Sequence, residues 1–362
     1  MPSERQVMLV VGARPQFVKA AALLRRPLSR ATWLLVHTGQ HYDFELSAAF
    51  FEELALPAPA ANLGVGSKAA AVQIGEMAAK LGELIAREEP AAVVVPGDTN
   101  STLAGAIAAS CAGVPLAHVE AGMRSYDWAM PEERNRVLTD RLADLKLCPH
   151  ADAAAALAAE GLGEGVVITG DVMYEVAAAA YDKLDAATYL TPLGLEAGAY
   201  VYATCHRQEN AGEPARLAAI VAALNGLPLP VFFPAHPRTA AALAAAGLGD
   251  AGDAGNIRLA PPTTYYRSLA LVKHAAAVVT DSGGIQREAY LYGVPAVTLR
   301  ARTEWPETVA AGANELADAD AARIGAAVAR ALARRERRPR LELVGKPPPS
   351  ERVVGALAAL IG

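Results

Sequence analysis

At 362 residues the chain is longer than single cores usually grow, about 250–300 residues, and is comfortable for two domains. With 53% hydrophobic and 20% charged residues it has the balance of a globular protein with a sizeable core, which excludes disorder, and its formal net charge of −5 offers no field attractive to nucleic acid. The first apolar run, Val7–Val11, is too short for a secretory h-region, and no run approaches the ~20 apolar residues of a membrane span, so a cytoplasmic protein without membrane or nucleic-acid partners is expected.

From the N-terminus, short β-branched runs alternate with helical patterns: Val7–Val11, Trp33–His37, Ala92–Val95, Pro115–Val119 and Val166–Thr169 read as strands. Such alternation is the mark of βαβ units and a parallel sheet. The pattern restarts with Tyr200–Thr204, Pro230–Phe233, Ile257–Ala260, Ala276–Thr280 and Ala296–Leu299, separated by helical stretches such as Arg216–Leu224 and Leu316–Arg334. The expected fold is therefore α/β, with two Rossmann-like doubly wound domains. The first spans 1–170, completed by a C-terminal helix within 350–362 (Glu351–Ile361), and the second spans 171–346. Cys111, Cys148 and Cys205 are scattered and read as reduced thiols, and the arginine-rich stretch Arg330–Arg340 reads as a solvated helix end.

In open parallel sheets, ligands bind outside the carboxyl ends of the strands, so the residues that follow each strand are informative. Gly12-Ala13-Arg14-Pro15, Pro96-Gly97-Asp98-Thr99, Glu120-Ala121-Gly122, Cys205-His206-Arg207 and Asp281-Ser282-Gly283-Gly284 occupy these places. Charged and hydrogen-bonding groups in both halves point to a cleft between two facing domains.

Asp281-Ser282-Gly283-Gly284 closes a strand and opens a helix, where backbone N–H groups and the helix dipole can receive a diphosphate; alone, it is also an ordinary capped helix start. Glu288, six residues past Ser282, lies roughly 9 Å further along a helix, about one nucleoside away, and can accept from ribose hydroxyls. The loop after the first strand lacks Gly-x-Gly-x-x-Gly, and no Gly-x-x-x-x-Gly-Lys-Ser/Thr loop exists, which argues against NAD and ATP. Arg14 and Lys19 sit at the mouth of the first domain, placed to meet phosphate oxygens.

Asp98, Glu120 and Glu132 each follow a strand or open the next helix of the first domain. Three converging carboxylates would repel, raising at least one pKa, as acid–base pairs require; the plainer alternative is that Asp98 caps its helix and the glutamates are solvated. His118, on a buried strand, reads as a core histidine rather than a metal ligand, and no metal is expected. His206 and His236 follow strands of the second domain, with Arg207 and Arg238 near them, in places suited to a phosphate or leaving group.

Taken together, Gly12-x-Arg14-Pro15-x-x-x-Lys19, Gly97-Asp98-Thr99, His118-Val119-Glu120-Ala121-Gly122-x-Arg124, Pro131-Glu132-Glu133-x-Asn135-Arg136, His206-Arg207-x-Glu209-Asn210, Asp281-Ser282-Gly283-Gly284-Ile285-Gln286-x-Glu288-Ala289 and Thr303-Glu304-x-Pro306-Glu307 resemble the non-hydrolysing UDP-N-acetylglucosamine (UDP-GlcNAc) 2-epimerases. The resemblance implies a glycosyltransferase-B type architecture, a homodimer, a UDP-sugar substrate and no metal or redox cofactor. It further implies that Asp98, Glu120 and Glu132 exchange the C2 proton with support from Arg136. Arg14, Lys19, His206, Ser282, Gly283 and Gly284 would hold diphosphate, and Glu288 the ribose. Gln40 and His41 match a pair that grips a second, activating UDP-GlcNAc in some members.

Departures from the family pattern are Cys205 at a position usually small, Trp305 in place of an arginine, a shorter loop between Glu120 and Glu132, and a tail around Gly345–Pro349 without the usual Asn-Pro-Tyr-Gly-Asp-Gly. Arg14-Pro15-Gln16, His37 to Asp43, Asp98 to Thr102 and Asp171 to Tyr174 are similar to a branch that includes epimerases of UDP-2,3-diacetamido glucuronic acid. Rival readings are a UDP-dependent glycosyltransferase, a UDP-sugar sensor and the hydrolysing relative that releases free ManNAc; the first two have no reason to gather three carboxylates.

Overall fold

The computed structural model describes residues 5–40, 44–247, 255–333 and 341–362, without the side chains of 44–48 and 238. Contacts divide the chain into two compact units, Met1–Val176 with Val344–Gly362, and Ala177–Leu343.

The first unit holds β1 (Arg5–Val11), β2 (Ala31–His37), β3 (Ala61–Asn62), β4 (Ala92–Pro96), β5 (Leu116–Val119), β6 (Leu145–Cys148) and β7 (Val166–Ile168), ordered β3-β2-β1-β4-β5-β6-β7. Every pairing is parallel, with Val7 opposite Trp33 on one side and Ala92 on the other. The reversal of order falls between β1 and β4, the place where doubly wound sheets open a crevice at their carboxyl edge. Helices cover both faces, so β1 and β4 are apolar on both sides: Val7 to Val11 and Ala92 to Val95 are fully buried. Met77, Leu81 and Leu84 of the Ala70–Glu88 helix pack with Ala104, Ala106, Ala108 and Ala109 of the Asn100–Ala112 helix on one face. The last helix, Pro349–Ile361, packs on the Arg14–Leu24 helix, and Ser350 is held by Arg26 (2.9 Å) and Glu175 (2.7 Å).

The second unit holds β8 (Val201–Thr204), β9 (Val231–Pro234), β10 (Ile257–Ala260), β11 (Ala277–Thr280), β12 (Ala296–Thr298) and β13 (Asn314–Leu316), ordered β10-β9-β8-β11-β12-β13 and again wholly parallel. Its core is built from alternate residues of these strands, Val201, Ala203, Phe233 and Val279 among them, with Leu217, Ile220 and Leu224 of the Pro214–Asn225 helix and Ile324 and Val328 of the Ala321–Ala333 helix.

The expected strands all form, but the sequence hid β3, β6 and β13. Strand β3 is only a pair of residues. In β6 the charged Lys146 interrupts the apolar pattern; its stem is buried while its ammonium reaches Glu164 O at 2.9 Å. Asn314–Leu316 is a strand where the sequence reads the start of a helix at Leu316: buried Asn314 keeps its amide bonded to Thr298 Oγ1 (2.7 Å), Thr308 Oγ1 and Gln286 Oε1 (both 3.1 Å), so a polar residue sits inside. The helix begins only at Ala321. Part of the arginine-rich stretch, 334–340, lies outside the described residues.

Candidate active site

The backbone N–H groups of Gly12 and Ala13 in the β1 loop are closed to phosphate by a side chain of the following helix. Gln16, fully buried, accepts from the N–H groups of Gly12 (2.8 Å) and Ala13 (3.0 Å) and donates to Pro96 O (2.9 Å) and Thr102 Oγ1 (3.1 Å). The N–H groups that would greet a pyrophosphate in a dinucleotide site are thus spent, in agreement with the sequence argument against NAD. Gln16 also ties the Arg14 loop to the Asp98 loop. Gly12 must be glycine, since a Cβ there would fall 2.1 Å from Thr38 Oγ1 and 2.2 Å from Ser101 Oγ. Arg14 is half-buried with its guanidinium 5.7 Å from the centre of the Phe50 ring. Gln40 Oε1 accepts from Ser101 N (2.8 Å) and Ser101 Oγ (2.6 Å), fastening it to the helix that follows Asp98, whereas His41 lies outside the described residues.

Asp98 does not cap its helix. The cap is Thr99, which leaves the Asp98 carboxylate to pair with Arg136. Asn135 donates to Asp98 O (3.0 Å), so the Pro131–Leu142 helix, which carries Glu132 half-buried in its first turn, is bonded to the Asp98 loop at two points. Glu120 has a φ of 72°, a left-handed conformation that costs a non-glycine residue roughly 1–3 kcal/mol and is typical of sites where function over-determines the backbone. Its carboxylate pairs with Lys19, which is buried rather than standing at the mouth beside Arg14 as the sequence had it. A Cβ on Gly97 would lie 2.8 Å from Lys19 Nζ and 3.8 Å from Glu120 Oε2, which puts this pair directly beside the Asp98 loop. The repulsion expected of three carboxylates is therefore met by cations: Arg136 answers Asp98, and Lys19 answers Glu120.

Sequence reasoning passed over Glu133. It is 1% exposed and accepts from Ser125 N (2.9 Å), Ser125 Oγ (2.8 Å), Tyr126 N (2.9 Å) and Arg136 Nη1 (2.9 Å). One buried carboxylate thus shapes the loop between Glu120 and Glu132 and orients the arginine that holds Asp98. The signal was present: a glutamate at the third helical position is where a capping carboxylate turns back on the preceding loop. His118 is a core histidine, fully buried.

In the second unit, Asp281 organises the carboxyl edge. Fully buried, it accepts from His206 N (3.0 Å), Arg207 N (2.9 Å) and Asn210 Nδ2 (3.2 Å), which fixes the loop after β8 beside the loop after β11. His206 is left exposed, its ring 6.3 Å from that of His236. The side chain of Arg238 is outside the described set. Ser282 caps the Gly283–Leu291 helix, whose first N–H groups have no partner within the helix. Trp305, buried, brings its indole against Gly283, where a Cβ would lie 3.1 Å from Nε1, and the Arg287 guanidinium stacks 3.9 Å from its ring centre. At the place where the family pattern has an arginine, this chain sets an indole against Gly283.

Glu288 lies two turns along the helix, 5% exposed, beside Tyr265, whose phenol is pushed well above its usual range by burial and then by the Glu288 charge. Cys205 is buried, and burial pushes its thiol well up as well. Among the described residues no group of three or more His, Cys, Asp or Glu could hold a metal ion, and no helix is long and apolar enough to cross a membrane.

Two parallel α/β units, each with its polar groups at the carboxyl edge of the sheet, define a two-domain protein of the glycosyltransferase-B type. The family model described as UDP-N-acetylglucosamine 2-epimerase matches residues 26–358. The chain belongs to that family, whose members are isomerases. It is 41% identical to a UDP-N-acetylglucosamine 2-epimerase homolog of Methanococcus maripaludis, over 86% of this chain and 88% of the relative. It is 40% identical to the UDP-2,3-diacetamido-2,3-dideoxy-D-glucuronate 2-epimerase of Pseudomonas aeruginosa, over 87% and 88%. The crystal structure of Methanocaldococcus jannaschii UDP-GlcNAc 2-epimerase in complex with UDP-GlcNAc and UDP is similar with a TM-score of 0.90 at 33% identity, over 98% of this chain and 99% of that one.

Proposed function

We propose that this chain inverts carbon 2 of UDP-GlcNAc, giving UDP-N-acetylmannosamine, by elimination and re-addition of UDP. A carboxylate of the first unit takes the C2 proton, the C–H electrons form the C1=C2 bond of a 2-acetamidoglucal, and the C1–O pair leaves with UDP. A proton then returns to the opposite face of C2, and UDP adds back at C1. Asp98, Glu120 and Glu132 are the groups assigned to proton transfer, with Arg136 holding Asp98. Arg14, His206, Ser282, Gly283 and Gly284 are assigned to the diphosphate, and Glu288 to the ribose. Lys19, paired with Glu120, is assigned to share its charge with the departing diphosphate. The carrying observation is the pair of acidic loops after β4 and β5, each with its carboxylate paired to a buried cation, in a chain whose second unit offers a glycine-opened helix N-terminus.

A proton NMR time course with UDP-GlcNAc in deuterated water tests this: the manno sugar should appear, with deuterium at C2 of both sugars. Net release of free ManNAc and UDP would replace epimerisation by hydrolysis. A second reading, supported by the Pseudomonas aeruginosa relative, keeps the reaction and changes the sugar to UDP-2,3-diacetamido-2,3-dideoxyglucuronate. Turnover of that sugar alone would select it.

Glu288→Ala should weaken UDP binding by about 1.5–3 kcal/mol, the scale of hydrogen bonds to a charged group, in a calorimetric titration. Unchanged affinity would place the ribose elsewhere. A homodimer is part of the same proposal, supported by the exposed Val72 on the Ala70–Glu88 helix and Leu138 on the Pro131–Leu142 helix, both of which pack on the Asn100–Ala112 helix. Sedimentation giving the mass of one 37.5 kDa chain would remove it.

A further inference from the structure

The imidazole of His118 is fully buried in β5 and has a hydrogen-bond partner on each nitrogen: Nε2 lies 2.7 Å from Gly97 O, and Nδ1 lies 2.7 Å from Asp140 Oδ1. A carbonyl oxygen can only accept, so Nε2 carries a hydrogen. Asp140, itself fully buried, already accepts from Gly122 N (3.2 Å) and Arg124 Nη1 (2.7 Å) and is an acceptor toward Nδ1 too. Burial pushes the Asp140 carboxyl up, but the charges of His118 and Arg124 overcome this and hold it below the usual carboxylate range. Arg124 is held in turn by Glu160 at 2.7 and 2.9 Å.

What these bonds join is the point. Gly97 precedes Asp98, and Gly122 follows Glu120 by two residues. Both acidic loops leave their strands through left-handed turns: Gly97, with a φ of 73°, adopts one freely as a glycine, whereas Glu120, with a φ of 72°, needs support from its surroundings. The Asp98 carboxylate is held by Arg136 and its carbonyl by Asn135 (3.0 Å), both on the Pro131–Leu142 helix. The peptide before it is held by His118, through Asp140 of that same helix. We infer that His118 is a positioning residue for proton transfer, its Nε2–H fixing the Gly97–Asp98 peptide while its link to Asp140 keeps the Glu120 loop in register with it. The inference rests on the proposed carboxylate chemistry.

Two substitutions separate the bonds of the ring. In His118→Gln the amide nitrogen takes the place of Nε2 and keeps the donor to Gly97; in His118→Asn it takes the place of Nδ1 and keeps only Asp140. Each is assayed by C2 deuterium exchange on whichever of the two UDP-sugars the wild type turns over, beside its melting temperature and its affinity for UDP. His118→Asn should lower kcat about 10²-fold, the size of a ~1 Å misplacement, and His118→Gln less than ~10-fold, with KM and UDP affinity held within ~3-fold in both. Equal losses in the two variants, in step with melting temperature, overturn the inference and leave His118 a purely structural residue.

If neither variant folds, 15N-histidine spectra of the wild type decide: a slowly exchanging hydrogen on Nε2 of His118 is expected, and a bare Nε2 overturns it. Normal wild-type exchange with indifferent variants removes the inference alone. A wild type that exchanges no C2 proton on either sugar removes the proton-transfer reading, and the role of His118 with it.

Discussion

Changing Asp98, Glu120 or Glu132 to its amide is expected to cut turnover by at least ~10²-fold, the usual contribution of a positioned acid or base, while UDP affinity barely changes. A proton-transfer group acts mainly in the transition state, so its loss lowers kcat and kcat/KM together and leaves ground-state nucleotide contacts in place. The surroundings of each residue refine the expectation. Glu120→Gln strands Lys19, whose side chain is 6% exposed, beside an amide, so this variant should also lose stability. Glu132 is half-buried in a first helical turn, and Glu132→Gln should leave the melting temperature near wild type. His206→Ala forms the contrast: an exposed ring assigned to the departing diphosphate should cost UDP affinity as well as rate. A carboxylate variant with near-normal turnover leaves the proton-transfer set, and if all three keep turnover, elimination across C1–C2 has lost its agents.

The residues proposed to touch the reaction were legible, and the residues that hold them were not. Asp98, Glu120, His206 and Ser282 each follow a strand, and a strand's carboxyl end is found from alternation alone. The periodicity that marked these edges says nothing about partners from distant elements. The sequence sets Lys19 beside Arg14 at the mouth of the first domain, yet it points inward because Gly97 and Glu120, far along the chain, leave a place for its ammonium. Asp281 reads only as the residue that closes its strand, but it supplies acceptors to two backbone N–H groups of the β8 loop. Glu133 and Gln16 were nearer to reach, since both stand at the third position of their helices, where a Glu or Gln folds back on the loop before it. Lys146 misled in the opposite sense, a charge inside a strand whose stem alone is buried.

Arg136→Met is expected to destabilise the fold by about 3–5 kcal/mol, because it removes the cation shared by two carboxylates and leaves them behind. The guanidinium uses Nη2 for Asp98 and Nη1 for Glu133, at side-chain exposures of 5% for the arginine, 33% for Asp98 and 2% for Glu133. Asp98 can turn toward water, so most of the penalty falls on Glu133, which keeps only its donors from Ser125 and Tyr126. Arg136→Lys separates charge from geometry. A lysine restores a cation beside Glu133 and should recover most of the stability, but an ammonium on a flexible stem lacks the planar fork that reaches both acids at once. Asp98 would then lose its orientation, and kcat should stay ~10–10²-fold below wild type although the protein is folded. Urea unfolding and C2 exchange on the same samples read the two effects apart. Wild-type turnover in Arg136→Lys would show that Asp98 needs a neighbouring charge and no fixed direction, and wild-type stability in Arg136→Met would show that the Glu133 carboxylate is solvated once its partner is gone.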